Sequence, residues 1–384
     1  MHLCLVASKA FAVREGVGDY SFRLAVELAK EHEVTLVTSR GMSPPGERDG
    51  VRILPIVPNW GPQGLRVLVH ELVRLRPDVV NLQYEPYLYH RWGINLWLPM
   101  AMLVLRAQGL PIVTTVHEPF VPFTRWQWWL TGPIQRLSLV FLVCASRKIA
   151  VTTWAWIGRL RPWVSWRLKD VVRIPVGTNV PPVSVSAEDR AEIRQRWNVP
   201  TTGVVIGVFS PLGNGKLFDL ILRTWEGLRL VRPDAVLLLL GVTRDEVLAR
   251  FPEAPTDPRA IYTGFLAPDR ISRLITGLDV ALAPFVDGLS SRRSSTISLM
   301  AHGIPIVSTL GPLTDPDIFG DSPIRLVPLG EEAGFYRAIE DLLRSAEERK
   351  RVGDLTRTFY ARHFAWAHIA KQVADLAAAA AGCM

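Results

Sequence analysis

The strongest constraint on this chain is an alternation: short apolar, β-branched runs are separated throughout by stretches of helical periodicity. In the first half the strand runs are residues 2–7, 34–38, 52–56, 78–82, 111–116, 148–152 and 172–176. In the second half they are 204–209, 235–240, 260–263, 280–284, 304–308 and 324–327. Between them, segment 19–32 places Phe22, Ala25, Val26 and Ala29 on one helical face, and segment 65–75 behaves likewise. Strands that are apolar on both faces need helices on both sides of a parallel sheet. The fold class is therefore α/β, with two doubly wound, Rossmann-like parallel-sheet domains. The pattern breaks at residues 181–187, PPVSVSA, which are polar, proline-containing and unpatterned. The expected organisation is a first domain over 1–180, a linker over 181–200, a second domain over 201–354 and a helical tail over 355–384. At 384 residues, each half is long enough to bury a core. Open sheets of this kind bind ligands beyond the carboxyl ends of their strands, so chemistry belongs in the loops there.

Four features of such loops carry unusual residues. In REGVGDYS, residues 14–21, Gly16 and Gly18 precede a helix with Asp19 as its expected cap. Glycines and a helix start suit an anion, although two glycines also simply make a turn. A dinucleotide fingerprint needs a third glycine and sits directly on the end of the first strand; here Ser21 holds the third position and about eight residues intervene after Ala7, which disfavours a nicotinamide site. Gln83, Tyr84 and Glu85 follow one strand, and His117 and Glu118 follow another. These are read as substrate contacts, with a structural histidine as the plainer alternative. GVFSPLGNGKLFD, residues 207–219, brings Gly213 and Lys216 to a helix start, where a lysine among exposed amides suits a diphosphate. Its spacing is not that of a Walker A loop. The fourth is FVDGLSSRRSSTISLMAHGIPIVST, residues 285–309, in which a hydroxyl-rich, cationic elbow joins two apolar strands. Arg292, Arg293, Ser294, Ser295 and Thr296 converge at a helix start there, and a plain hydroxyl-capped helix is the alternative.

Charge is uneven. Residues 1–190 hold 22 Lys and Arg against 14 Asp and Glu, while residues 191–384 hold 22 of each. Within 91–186 there are 11 basic residues, two acidic ones (Glu118 and Asp170) and nine of the 13 tryptophans. Tryptophan beside arginine suits the headgroup layer of an anionic membrane; core tryptophans with solvated arginines give the same composition. No nucleic-acid motif accompanies the charge. The longest apolar run, residues 94–105, is about 12 residues, short of the ~20 needed to cross a bilayer. Cys4, Cys144 and Cys383 form neither a disulfide framework nor a zinc pattern. The N-terminus lacks a signal-peptide layout. The expectation is a cytoplasmic protein, with the inner face of the cell membrane as a peripheral partner.

Together the loops resemble glycosyltransferase family 4 with its group 1 transferase domain, retaining enzymes of the GT-B fold. The resemblance is carried by GVGDYSFRLAVELAKEHEVTLVT, by IPVGTNV at residues 174–180, by YTGFLAPDRISRLITGLDVALAPF with LMAHGIPIVST, and by ARHFAWAHIAKQ in the tail. It implies a nucleotide-diphosphate sugar as donor, no other cofactor, no metal, and a glycan or lipid-linked acceptor. On this resemblance Gly16, Gly18, Gly213, Lys216, Ser290, Arg292, Arg293, Ser294, Ser295 and Ser298 bind the donor. His117, Asp287, Lys216 and Arg292 carry catalysis, and Gln83, Tyr84, Glu85 and Glu118 face the acceptor. The tail helix is expected to pack on the first domain. The chain departs from the family at Pro211, where an arginine is common, and at Ser290 and Ser298, which occupy the places of two glutamates. Asp287 and Arg292 are the residues that would compensate. A nucleotide-sugar-binding member without transferase activity and a sugar-nucleotide epimerase remain as alternatives; a dehydrogenase is weakened by the glycine spacing.

Overall fold

A computed structural model describes residues 1–10, 16–209, 212–213 and 215–382. Arg14, Glu15, Pro211 and Cys383, all weighed above, lie outside these residues. The chain divides into two compact units, Met1–Gly177 with Trp366–Met384, and Thr178–Ala365.

The first unit is built on eight strands: β1 (His2–Val6), β2 (Glu33–Ser39), β3 (Gly46–Arg48), β4 (Val51–Val57), β5 (Val79–Tyr84), β6 (Ile112–Val116), β7 (Lys148–Val151) and β8 (Val171–Arg173). Their order is β3-β4-β2-β1-β5-β6-β7-β8. All neighbours are parallel except β3 and β4. That antiparallel pair turns at Asp49 (φ 52°) and Gly50 (φ 77°), left-handed residues of the kind a two-residue hairpin demands. Strand β3 is fully exposed and three residues long, so no apolar run announces it. Leu82, Ile112 and Val116 meet Leu98, Met102, Leu139 and Leu142 in the core.

Helix Trp126–Ala145 is long and apolar enough, by length and composition alone, to cross a membrane. The sequence reading passed over it because Gln127, Thr131, Gln135, Arg136 and Ser138 interrupt its apolar runs. Residues 355–381, read as one helical stretch, form the ends of two helices, Ala346–His363 and Trp366–Ala381, with buried Phe364 between them. The last helix packs on helix Gly16–Leu28 and on strands β5, β6 and β7. Arg147 Nη1 ties it down by donating to Ala380 O at 2.9 Å. Trp366 covers Gly177, where a Cβ would come within 2.5 Å of the indole.

The second unit has six strands: β9 (Val204–Phe209), β10 (Ala235–Leu240), β11 (Ala260–Tyr262), β12 (Val280–Ala283), β13 (Ile306–Leu310) and β14 (Arg325–Pro328). They run parallel in the order β11-β10-β9-β12-β13-β14. Residues 181–200, expected as a linker, carry helix Ala187–Arg196, opened by a Ser186–Asp189 capping box. Arg190 and Arg194 on that helix pair with Asp279 at 3.3 and 2.7 Å.

Each sheet reverses its strand order once, between β1 and β5 in the first and between β9 and β12 in the second. Connections leaving two neighbouring strands in opposite directions open a crevice at their carboxyl ends. The loops singled out from sequence leave these strands, except that of His117 and Glu118, which leaves β6 beside β5.

The two glycines of the first loop differ. A Cβ on Gly18 would stand 2.4 Å from Lys9 O, whereas one on Gly16 would meet nothing within 4 Å among the described residues. Gly18 lets the chain after β1 lie directly on the helix. Gly18→Ala should therefore destabilise by ~1–3 kcal/mol through overpacking, and Gly16→Ala should stay within ~0.5 kcal/mol of the parent. Denaturant unfolding of both variants checks this; equal effects would contradict the close approach.

Candidate functional site

In the second unit the site grows from the switch between β9 and β12. The chain after β9 returns along the end of β12, where Lys216 and Phe285 form an antiparallel bridge. Leu217 N–H donates to Pro284 O, and Val286 N–H donates to Gly215 O, both at 3.1 Å. These bonds fix Lys216 over the elbow. Its Nζ donates to Phe209 O at 3.1 Å and lies 5.4 Å from the Phe285 ring centroid. Arg293 Cζ lies 4.3 Å from the same ring. Two cations on one aromatic gain from its quadrupole. Gly215 admits the guanidinium, since a Cβ there would be 3.1 Å from Arg293 Nη1.

The elbow is held by Asp287. Its carboxylate accepts from Arg292 Nη2 at 3.0 Å and from Arg293 Nη2. Gly288 follows at φ 87°, with no room for a Cβ against Gly311 N at 2.4 Å. Leu313 N–H donates to Asp287 O at 2.8 Å, and Leu289 N–H to Thr309 O at 2.9 Å. Asp315 accepts from Ser291 N–H at 2.7 Å and from Ser291 Oγ at 2.8 Å. The elbow is thus a rigid turn whose arginines are aimed by one carboxylate.

The hydroxyls divide into three groups. Ser290 and Thr296 are fully buried, and among the described residues their oxygens find no partner. Ser298 is buried too, but its Oγ donates to Ser294 O at 2.9 Å and meets Thr178 Oγ1 at 2.6 Å. Ser294 and Ser295 are half-buried at the start of helix Ser294–Ala301. Gly213 is exposed, and among the described residues nothing would lie within 4 Å of a Cβ there. Lys216, Asp287, Arg292 and Arg293 therefore gather in one place, with Ser290 in the same turn. Asp287, expected to face a sugar, is engaged by the two arginines.

Burial, with the Arg293 charge adding to it, pushes the Lys216 ammonium down to about 7. Near neutral pH the lysine is poised between its charged and neutral forms.

In the first unit, His117 lies at the tip of β6, beside the switch strand β5. Its Nε2 pairs with Gln83 Oε1 at 2.9 Å, which makes it the donor and fixes the tautomer. Burial pushes its pKa down to about 3, so the imidazole is neutral at working pH. Trp156 Nε1 donates to His117 O at 2.8 Å, and His117 N–H donates to Tyr84 O at 2.9 Å. Tyr20 packs edge-on against the imidazole, with centroids 4.8 Å apart. Gln83 and Tyr84 alternate across β5, so only one of them can join His117. Gln83 does; Tyr84 is buried in the core. Glu85 and Glu118 are half-buried just beyond the strand ends. Asp19, expected as a cap, lies in the first turn of helix Gly16–Leu28.

Sequence reasoning missed Tyr20, Trp156, Phe285 and Asp315. Aromatics next to apolar runs read as core, and Asp315 is far in sequence from the elbow it braces. Among the described residues, no group of three or more His, Cys, Asp and Glu side chains could hold a metal ion.

Residues 14–179 match the family model for Glycosyltransferase Family 4, and residues 201–345 that for Glycosyl transferases group 1. The chain is 27% identical over 294 residues to 2-deoxystreptamine N-acetyl-D-glucosaminyltransferase of Streptomyces fradiae, covering 72% of this chain and 65% of that protein. It is 25% identical over 264 residues to 2-deoxystreptamine glucosyltransferase of Streptomyces kanamyceticus, covering 65% of this chain and 66% of that protein. The chain thus spans just under two thirds of the length of these curated relatives. Sucrose-phosphate synthase from Thermosynechococcus elongatus shares the fold, with a TM-score of 0.75 at 16% identity over the full length of both chains.

The Lys216 environment carries a stability cost. Its pKa is lower folded than unfolded, so the unfolded chain binds the extra proton between pH 7 and the ordinary lysine value, and stability rises with pH across that window. Lys216→Met removes the buried ammonium. It should raise the melting temperature near pH 7 by roughly 2–4 °C, with the gain shrinking toward pH 10. A gain independent of pH would contradict this origin.

Proposed function

Because the chain belongs to glycosyltransferase family 4, with a group 1 transferase second half, we propose that it moves a hexosyl unit from a nucleoside-diphosphate sugar to a glycan or lipid-linked acceptor, with retention at the anomeric carbon. The observation that carries this reading is the gathering of Lys216, Arg292 and Arg293 around Phe285, at the switch of the second sheet. As the bond from anomeric carbon to phosphate oxygen breaks, negative charge grows on the diphosphate. The three cations and the amides at the start of helix Ser294–Ala301 stabilise it. No metal or other cofactor is needed for that work. Asp287 keeps the two guanidinium groups in position, and Ser294, half-buried at the helix start, supplies a hydroxyl. No side chain is assigned as a covalent nucleophile. The acceptor oxygen bonds to the anomeric carbon on the face the diphosphate leaves, and its proton passes to the departing phosphate.

The first unit supplies His117, a neutral imidazole held by Gln83, to position the transferred sugar. Glu85 and Glu118 face the acceptor. Both curated relatives are named for transfer to 2-deoxystreptamine, a cationic aminocyclitol. Two carboxylates at the strand ends favour a second reading of this kind, with a small amino-sugar-like acceptor in place of a glycan or lipid.

A nucleoside diphosphate at about 100 times its Kd should stabilise the protein by ~2.7 kcal/mol, and a thermal-shift screen of UDP, GDP and ADP identifies the base. Lys216→Ala and Arg292→Ala should each lower kcat by ~10²–10³-fold; turnover unchanged in both would remove the diphosphate assignment. The bound anion raises the Lys216 pKa from about 7. Binding should therefore take up a proton above neutral pH, and affinity should fall as pH rises past that value. Calorimetry in buffers of different ionisation enthalpy measures the uptake. Free nucleoside diphosphate and an epimerised sugar, formed without acceptor, would instead indicate an epimerase.

A further inference from the structure

Helices Trp97–Ala107 and Trp126–Ala145 pack against each other in the first unit. Each leaves one stripe of large apolar side chains outside. On the shorter helix the stripe is Trp97, Met100 and Val104. On the longer it is Trp126, Trp129, Leu130 and Leu137, with Trp126 at 73% exposure and Leu130 at 68%. Spacings of three, four and seven place each set on one helical face. Exposed side chains of this size on adjacent helices mark an interaction surface.

We propose that these two stripes dock on an anionic lipid bilayer, with the helices lying in its headgroup layer. Charge argues for this occupant. Neither helix contains an acidic residue, and only two acids occur in residues 91–186, against 11 basic residues. Arg91 lies over the Trp92 ring at 5.4 Å and Arg125 over Trp128 at 4.9 Å. Tryptophan paired with arginine is suited to the boundary between headgroups and acyl chains.

The inner face of the longer helix shows why it lies on the bilayer. Gln135, Arg136 and Ser138 are buried there. Arg136 sits over Phe120 and Phe123, at 4.1 and 3.9 Å from the ring centroids, and donates to Gly132 O at 2.9 Å and Val121 O at 3.2 Å. Gln135 Oε1 accepts from Val121 N–H at 2.9 Å. A crossing helix would strip these groups of their partners in hydrocarbon, at a high energetic cost. The same contacts clamp the loop that follows His117, so a docked helix delivers the acceptor side to the lipid surface. That consequence rests on the transferase reading; the docking itself does not.

The test is flotation of the full chain with vesicles of phosphatidylcholine alone and of phosphatidylcholine mixed with phosphatidylglycerol. Binding to the mixed vesicles at low salt is expected, weakening as salt is added, with a blue shift of tryptophan emission. Combining Trp126→Ser, Leu130→Ser and Leu137→Ser, which spares Trp129 stacked on Phe123 at 4.8 Å, should weaken binding by ~tenfold or more, with the melting temperature and nucleoside-diphosphate binding unchanged. Arg91→Glu with Arg125→Glu provides a second variant, expected to lose the preference for anionic lipid. No binding to either vesicle, or equal binding by the triple variant, would overturn the proposal. So would a concentration-dependent dimer that the triple substitution dissolves, because it would give the face to a second copy. Vesicle binding without sugar transfer would strike the proposed function alone, and nucleoside-diphosphate binding without vesicle binding would strike only the docking.

Discussion

One carboxylate organises the second unit's site. Asp287 accepts hydrogen bonds from both Arg292 and Arg293, and most other features of the elbow follow from that arrangement. Arg293, so held, lies over Phe285; Phe285 bridges to Lys216; and the nearby guanidinium helps to push the lysine toward neutrality. A cluster of cations is unstable without anions. A single internal carboxylate offsets part of the repulsion and leaves net positive charge for a ligand to neutralise. The group that looks like a reactive residue in the sequence is thereby the scaffold of the cationic ones.

Much of this was legible in advance. The buried strands β9, β10 and β12 are unbroken apolar runs because helices cover both faces of their sheet, and such runs need no context to be recognised. The cationic elbow was visible because arginines and serines between two such strands have no packing explanation. What sequence could not supply was direction. Gln83 and Tyr84 are neighbours in the chain but lie on opposite faces of β5, and only strand pairing decides which of them meets His117. Gly16 and Gly18 read alike, yet among the described residues only Gly18 is pressed against backbone. The hairpin of β3 and β4 was signalled by Asp49–Gly50, but β3 has no apolar residue to bury and was overlooked.

The first unit solves a different problem with the same helix. The inward face of Trp126–Ala145 is partly polar and satisfied by the loop after His117, while its outward face is apolar and bare. This departs from the usual amphipathic pattern, in which polar groups face water and apolar groups the core, although Leu139, Leu142 and Val143 still face the core. Mean hydropathy alone reads such a helix as a membrane span; the placement of Gln135 and Arg136 separates the two cases.

The close packing of Gly288 against Gly311 limits how the elbow can be altered. With no room for a Cβ between them, the elbow cannot slide, and its length is fixed by a loop more than twenty residues downstream. Ser290 is thereby committed to a fully buried position. A glutamate introduced there would arrive as an unsolvated charge rather than a working carboxylate. Position 290 therefore cannot take a carboxylate unless space and a partner are created around it at the same time.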